Sequence, residues 1–137
     1  MSKQSAFWDD LARDLEDPEF LREYVVESVR IATIDQVVNA IDDAREAAGL
    51  SKAELGRAIQ KEPATIRRLL SSDHTNPTLG TLAEVAAALG LRITVEPIPD
   101  AERDQITGPL LEGRTADPAK LARHLDNMRT PRSKVPA

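Results

Sequence analysis

The sequence predicts a mainly α-helical fold, with about five helices, one short C-terminal β-strand and a flexible tail. Three observations predict it. Apolar residues recur at helical spacing through most of the chain and alternate in only one short stretch. Helix-start signals stand just ahead of those runs: Ser51 with Glu54, Thr33 with Gln36, and Asp before Pro at Asp17-Pro18 and Asp117-Pro118. Aromatics are 3% of the 137 residues against 41% hydrophobics, so the core is built from Leu, Ile, Val and Ala, which suits small, closely packed helices.

Ser5 is placed to cap a first short helix carrying Phe7, Trp8, Leu11 and Leu15. Trp8, the only tryptophan, has two readings: a cover for the core, or a partner or dimer surface. The Asp17-Pro18 step starts a second helix, with Phe20, Leu21, Tyr24, Val25 and Val29 on one stripe and Arg22, Glu23, Glu27 and Arg30 opposite. Thr33 and Gln36 read as the capping box of a third, which carries Ile34, Val37, Val38, Ile41 and Ala48 and exits at Gly49.

Residues 50–70, LSKAELGRAIQKEPATIRRLL, form the centre of the chain. Ser51 and Glu54 complete a capping box, and Leu55 and Ile59 lie one turn apart. A break follows at Gln60, Lys61 and Glu62. Pro63 suits the first position of the next helix, because its missing N–H is unneeded there and its φ is already helical. Ile66, Leu69 and Leu70 then face back onto the preceding helix. The pattern is that of a helix–turn–helix, with Pro63, Ala64, Thr65, Arg67 and Arg68 left towards solvent or a major groove. An αα-hairpin with no nucleic-acid role carries the same pattern.

Residues 71–78, SSDHTNPT, read as a loop, and Thr78 caps a helix with Leu79, Leu82, Val85, Ala86 and Leu89 that ends at Gly90. In residues 91–96, Leu91, Ile93 and Val95 alternate with Arg92, Thr94 and Glu96, so a strand is expected. A lone strand leaves its edges open, and pairs either with a second subunit or with a partner's sheet. Pro97 and Pro99 end it. Residues 100–116 show no period and read as a linker; Asp117-Pro118 starts a last helix with Leu121, Leu125 and Met128. The expected organisation is therefore residues 1–32 as acidic N-terminal helices, 33–98 as a DNA-binding domain with its strand, and 99–137 as linker and helical tail.

The net charge is −5, but its distribution matters more. Residues 1–30 hold four basic and eight acidic side chains, residues 51–75 five basic and three acidic, and residues 118–137 five basic and one acidic. Phosphate contact depends on the local basic face. The chain has no cysteine, which excludes disulfides and thiolate chemistry, and His74 and His124 are too far apart in sequence to suggest a metal site. There is no Gly-rich phosphate loop and no nucleophile–base pair. The expectation is a binding protein without cofactor, metal or enzymatic activity. No run approaches membrane-spanning length and the N-terminus does not resemble a signal peptide, so the chain is expected in the cytoplasm.

Residues 49–96 resemble the XRE/Cro-type helix–turn–helix family, most strongly in LSKAEL, TIRRLL and NPTLGTLAEVAAALGL. Within that family, DLEDPEFLREYV ahead of the motif and LRITVEP behind it are similar to HigA-type antitoxins of toxin–antitoxin modules. The resemblance implies a Cro/repressor-like domain that dimerises on a palindromic operator of double-stranded DNA, represses its own operon and neutralises a small RNase toxin. A free-standing regulator shares every motif, and an adaptor without DNA affinity is a third reading. Members usually carry a small residue and then Gly around the first turn; here those positions are Gly56 and Gln60. Glu62 stands where a Ser or Thr cap is frequent. It suits a helix N-terminus electrostatically and repels a nearby phosphate.

By motif position, Arg68 is the first choice for a base contact, with a phosphate contact or a pair with Glu54 as alternatives. Pro63, Ala64 and Thr65, at the exposed start of the second helix, join it on the base side. Lys52 and Arg57, on the helix that crosses the backbone, are phosphate clamps, with Lys61 and Arg67 as weaker ones. Ser72, His74, Thr75 and Asn76, in the following loop, are further candidates for backbone contact. Trp8, Leu91, Ile93 and Val95 are the candidate partner or dimer surface.

Overall fold

The computed structural model describes residues 3–71 and 76–129. Among them lie helices α1 (Lys3–Asp14), α2 (Pro18–Ala47), α3 (Lys52–Ala58), α4 (Pro63–Leu69), α5 (Leu79–Ala88), α6 (Asp100–Glu112) and α7 (Pro118–Arg129). Among the described residues no helix is long and apolar enough to cross a membrane. The chain divides into two compact units, Met1–Ala32 with Pro97–Ala137, and Thr33–Glu96.

The first unit is built from both ends of the chain. Leu11, Leu15, Leu21 and Val25 from its N-terminal part pack with Ile106, Leu121, Ala122 and Leu125 from α6 and α7. Trp8, Phe20, Tyr24, Val29, Leu110 and Met128 lie partly buried around them. Two Asp-Pro steps start its helices in the same way. The Asp17 carboxylate accepts from Glu19 N–H at 3.0 Å, and the Asp117 carboxylate from Lys120 N–H at 3.0 Å. At the other end of α6, Arg22 donates to the carbonyls of Leu110 (3.0 Å) and Leu111 (3.3 Å), which the helix itself leaves unpaired. Gly113 ends α6 at φ 75°, with the Arg22 guanidinium 3.0 Å from where a Cβ would stand.

The second unit holds Val38, Ile41, Leu55, Ile66, Leu69, Leu70, Leu82 and Val85 in its core, with Ile34, Val37, Ile59, Ala88, Leu89 and Ile93 packed around them. Three of its helices end alike. After α2, Leu50 N–H bonds Arg45 C=O and Gly49 N–H bonds Glu46 C=O; after α3, Lys61 bonds Gly56 and Gln60 bonds Arg57; after α5, Leu91 bonds Ala86 and Gly90 bonds Ala87. This crossed pair is the Schellman closure, and it places the residue after the cap in the left-handed region. Gly49 and Gly90 occupy it at φ 69° and 72°, and Gln60 at φ 58°.

Three sequence expectations are corrected. Thr33 and Gln36 do not start a helix: α2 runs unbroken through them, because no Gly or Pro lies between Arg30 and Gln36 to stop the hydrogen-bond ladder. Residues 91–96 form no strand; no described segment supplies the ladder a strand needs, and the stretch leaves α5 without regular structure. Residues 100–116 are not a linker, since α6 covers Asp100–Glu112. Its Gly108-Pro109 step reads as a breaker, yet Pro109 sits buried inside the last turn, and Ile106 is a core residue.

Candidate nucleic-acid interface

The site is built on α3, a tight turn and α4. Ser51 starts α3 with both halves of the capping box: Ser51 Oγ accepts from Glu54 N–H at 3.0 Å, and Glu54 Oε1 accepts from Ser51 N–H at 3.1 Å. Those bonds from Ser51, the backbone one first, hold the Glu54 carboxyl below its ordinary pKa. Ahead of α3, the half-buried Arg45 bonds Asp42 at 2.9 Å and Leu50 C=O at 2.7 Å, which ties the end of α2 to the entry of α3. Sequence reasoning gave Arg45 no role; its position beside the Gly49 turn was the available signal.

Two backbone positions set how α4 lies on α3. A Cβ on Gly56 would stand 2.8 Å from Lys61 C=O and 3.2 Å from Ile66 Cγ1, so the helices approach at the distance only glycine permits. The chain then reverses at Gln60, whose left-handed φ is the conformation glycine adopts without Cβ strain. Glu62 is the residue before α4 and makes no side-chain cap bond; Pro63 follows as the first helical residue. Ile66, Leu69 and Leu70 are buried, which fixes the rotation of α4.

That rotation leaves Ala64, Arg67 and Arg68 exposed and Pro63 and Thr65 half-buried. Ala64 and Arg68 are four residues apart and share a face. On α3, Arg57 is exposed and Lys52 half-buried. Among the described residues, Lys52, Arg57, Arg67 and Arg68 make no salt bridge, and Glu54, the alternative partner for Arg68, is taken by Ser51. Lys61 differs: its Nζ lies 3.6 Å from the Glu84 carboxylate on α5. Asn76 is exposed just ahead of the Thr78 cap, whose Oγ1 accepts from Thr81 N–H at 3.2 Å. Ser72, His74 and Thr75 lie outside the described residues.

Of the candidate partner residues, Trp8 is half-buried against the core of the first unit, edge-on to an exposed Phe7 with ring centroids 5.3 Å apart. Ile93 packs partly on the core of the second unit, while Leu91 is 41% and Val95 97% exposed.

Residues 41–95 match the family model described as Helix-turn-helix. No curated protein and no solved structure matches the chain. The matched stretch takes in the end of α2 and the whole of α3, α4 and α5, and lies within the second unit, of which it omits residues 33–40 and Glu96. With a glycine-close α3–α4 pair and, among the described residues, two arginines without a salt bridge on the exposed face of α4, residues 41–95 are similar to that Helix-turn-helix family.

Proposed function

We propose that the protein is a sequence-specific transcriptional repressor that binds a palindromic operator as a homodimer, without cofactor or catalysis. The observation that carries this is that Arg67 and Arg68 are exposed and, among the described residues, make no salt bridge, on a helix whose opposite face is locked into the core. α4 enters the major groove, with Arg68 reading a base edge and Pro63, Ala64 and Thr65 along the same end; Lys52 and Arg57 hold phosphates. Arg67 adds a weaker phosphate contact, and Lys61 the least, because Glu84 already neutralises it. The experiment is a gel shift on the promoter of the protein's own gene against a scrambled duplex, repeated as salt is raised. Preferential, salt-sensitive retardation of the promoter supports the reading; equal affinity for both duplexes removes the repressor function.

We further propose that the repressor is an antitoxin that neutralises a small RNase toxin in the cytoplasm. The acidic N-terminal region supports this. Residues 1–30 carry eight acidic side chains against four basic ones, a charge suited to a basic, RNA-attracting face. Co-expression with the protein encoded beside it tests the idea. A stable complex that suppresses RNA cleavage supports it, and a toxic neighbour that is not bound overturns it.

A further inference from the structure

α7 carries two kinds of face. Leu121, Ala122 and Leu125 are buried in the core of the first unit. Lys120, Arg123, His124 and Asn127 recur at helical spacing and share another face. With Gln105 of α6 and Asp117, they line a cavity of about 440 Å³. Two polar atoms of these lining residues, Gln105 Oε1 and His124 Nε2, are buried and find no hydrogen-bond partner among the described residues. Buried polar atoms are ordinarily paired, because an unmade bond costs the desolvation of the group without return. Lys120 and Arg123 are exposed and, among the described residues, make no salt bridge. Asp117, the carboxylate of the lining, accepts from Lys120 N–H at 3.0 Å.

We infer that this cavity is the binding site of a small hydroxy-carboxylate. Its volume is that of a small-molecule site. The ligand's carboxylate pairs with the Lys120 ammonium and the Arg123 guanidinium, whose planar fork suits a carboxylate. His124 Nε2–H donates to the same anion, and the ligand's hydroxyl donates to Gln105 Oε1. A neutral ligand leaves both cations unused, and a plain carboxylate leaves Gln105 Oε1 without a donor. A neighbouring cavity of about 460 Å³ shares Gln105, Asp117 and Lys120 but turns acidic at Asp104 and Glu112, which keeps the anion on the Arg123 side. The cavity lies outside residues 41–95, so it does not depend on the DNA contacts proposed for α3 and α4.

The full-length protein is titrated with malate and with succinate, which differ by one hydroxyl. The chain has two histidines, so a His74→Asn variant assigns the imidazole signals by NMR. Malate at millimolar concentration is expected to shift the His124 signal saturably, and succinate to bind about tenfold more weakly for want of the donor. Arg123→Gln, at an exposed position, is expected to weaken malate about tenfold. Gln105→Leu replaces the unpaired amide with an apolar side chain of similar size. It is expected to raise the melting temperature of the unliganded protein and to bring malate down to the affinity of succinate. A His124 signal that malate does not move leaves the buried atoms to water and overturns the site, as does an Arg123→Gln variant that binds malate unchanged. Inorganic phosphate binding as tightly as malate overturns the ligand class in favour of any small anion. Equal affinity for malate and succinate in the natural protein, or a Gln105→Leu variant that melts lower, overturns the role of Gln105 and with it the hydroxy acid.

Discussion

Gln60 and Gly56 are the two residues through which the sequence controls the helix–turn–helix, and they do so in opposite ways. Gln60 carries a side chain at φ 58°, where Cβ crowds the following carbonyl. Gln60→Gly removes that strain and is expected to stabilise the protein by about 1 kcal/mol, less the entropy glycine loses on folding. Gly56→Ala pushes a methyl to 2.8 Å from Lys61 C=O, and is expected to destabilise by about 1–3 kcal/mol. Urea melts of the two variants check both signs. A destabilising Gln60→Gly, or a neutral Gly56→Ala, contradicts this account of the turn. At the same scale, Glu54 makes the start of α3 pH-dependent. Its folded pKa is lowered by the bonds from Ser51, so its contribution is present above the unfolded value and lost as pH falls through the lowered folded one. Between pH 5 and 2, by thermal melting, Glu54→Gln is expected to lose less stability than the natural protein, because an amide oxygen accepts the same bond without titrating (about one side chain's share of the acid loss).

Among the elements, those with local signals were legible in the sequence and those defined by distant partners were not. The boundaries of α3, α4, α5 and α7 follow from Ser51, Pro63, Thr78 and Asp117-Pro118, whose bonds reach only a few residues along the chain. Of the residues expected outward on α4 from the spacing of Ile66, Leu69 and Leu70, Ala64, Arg67 and Arg68 are exposed, while Pro63 and Thr65 are half-buried. α6 was hidden because its apolar residues Ile106 and Leu110 make sense only against the core with which they pack, and because a Gly-Pro step reads as a stop. The strand expected at residues 91–96 failed for a related reason: alternation shows what a segment is suited to, while a ladder needs a second strand. The pairing of Lys61 with Glu84 was likewise unreadable, since it joins two helices. It yields a prediction for the interface: Lys61→Ala is expected to lower the salt slope of DNA binding by less than the drop of about 1 expected for Lys52→Ala. Equal drops in a salt titration show that Glu84 does not occupy Lys61.

At the scale of the whole molecule, the acidic N-terminal helix is part of a folded unit. Leu11 and Leu15 are buried with Leu121 and Leu125, so removing residues 1–16 takes away core as well as charge. Leu15→Ala is expected to cost about 2–5 kcal/mol. Because Leu15 lies outside Thr33–Glu96, operator affinity measured well below the melting temperature is expected to change less than about threefold. A calorimetric scan with a parallel gel shift checks both numbers, and a large loss of affinity in a folded variant shows the two units to be coupled.

In the proposed complex α4 reads DNA through Arg68 while α3 holds the backbone. That division of roles is tested most directly by titrating Arg68→Ala and Lys52→Ala against the operator and a random duplex of equal length, each over a range of salt. Arg68→Ala is expected to lose about 1–3 kcal/mol on the operator, with its preference relaxed at one base pair per half-site. Lys52→Ala is expected to weaken both duplexes alike. Equal loss on operator and random DNA for Arg68→Ala, or no loss at all, contradicts the claim.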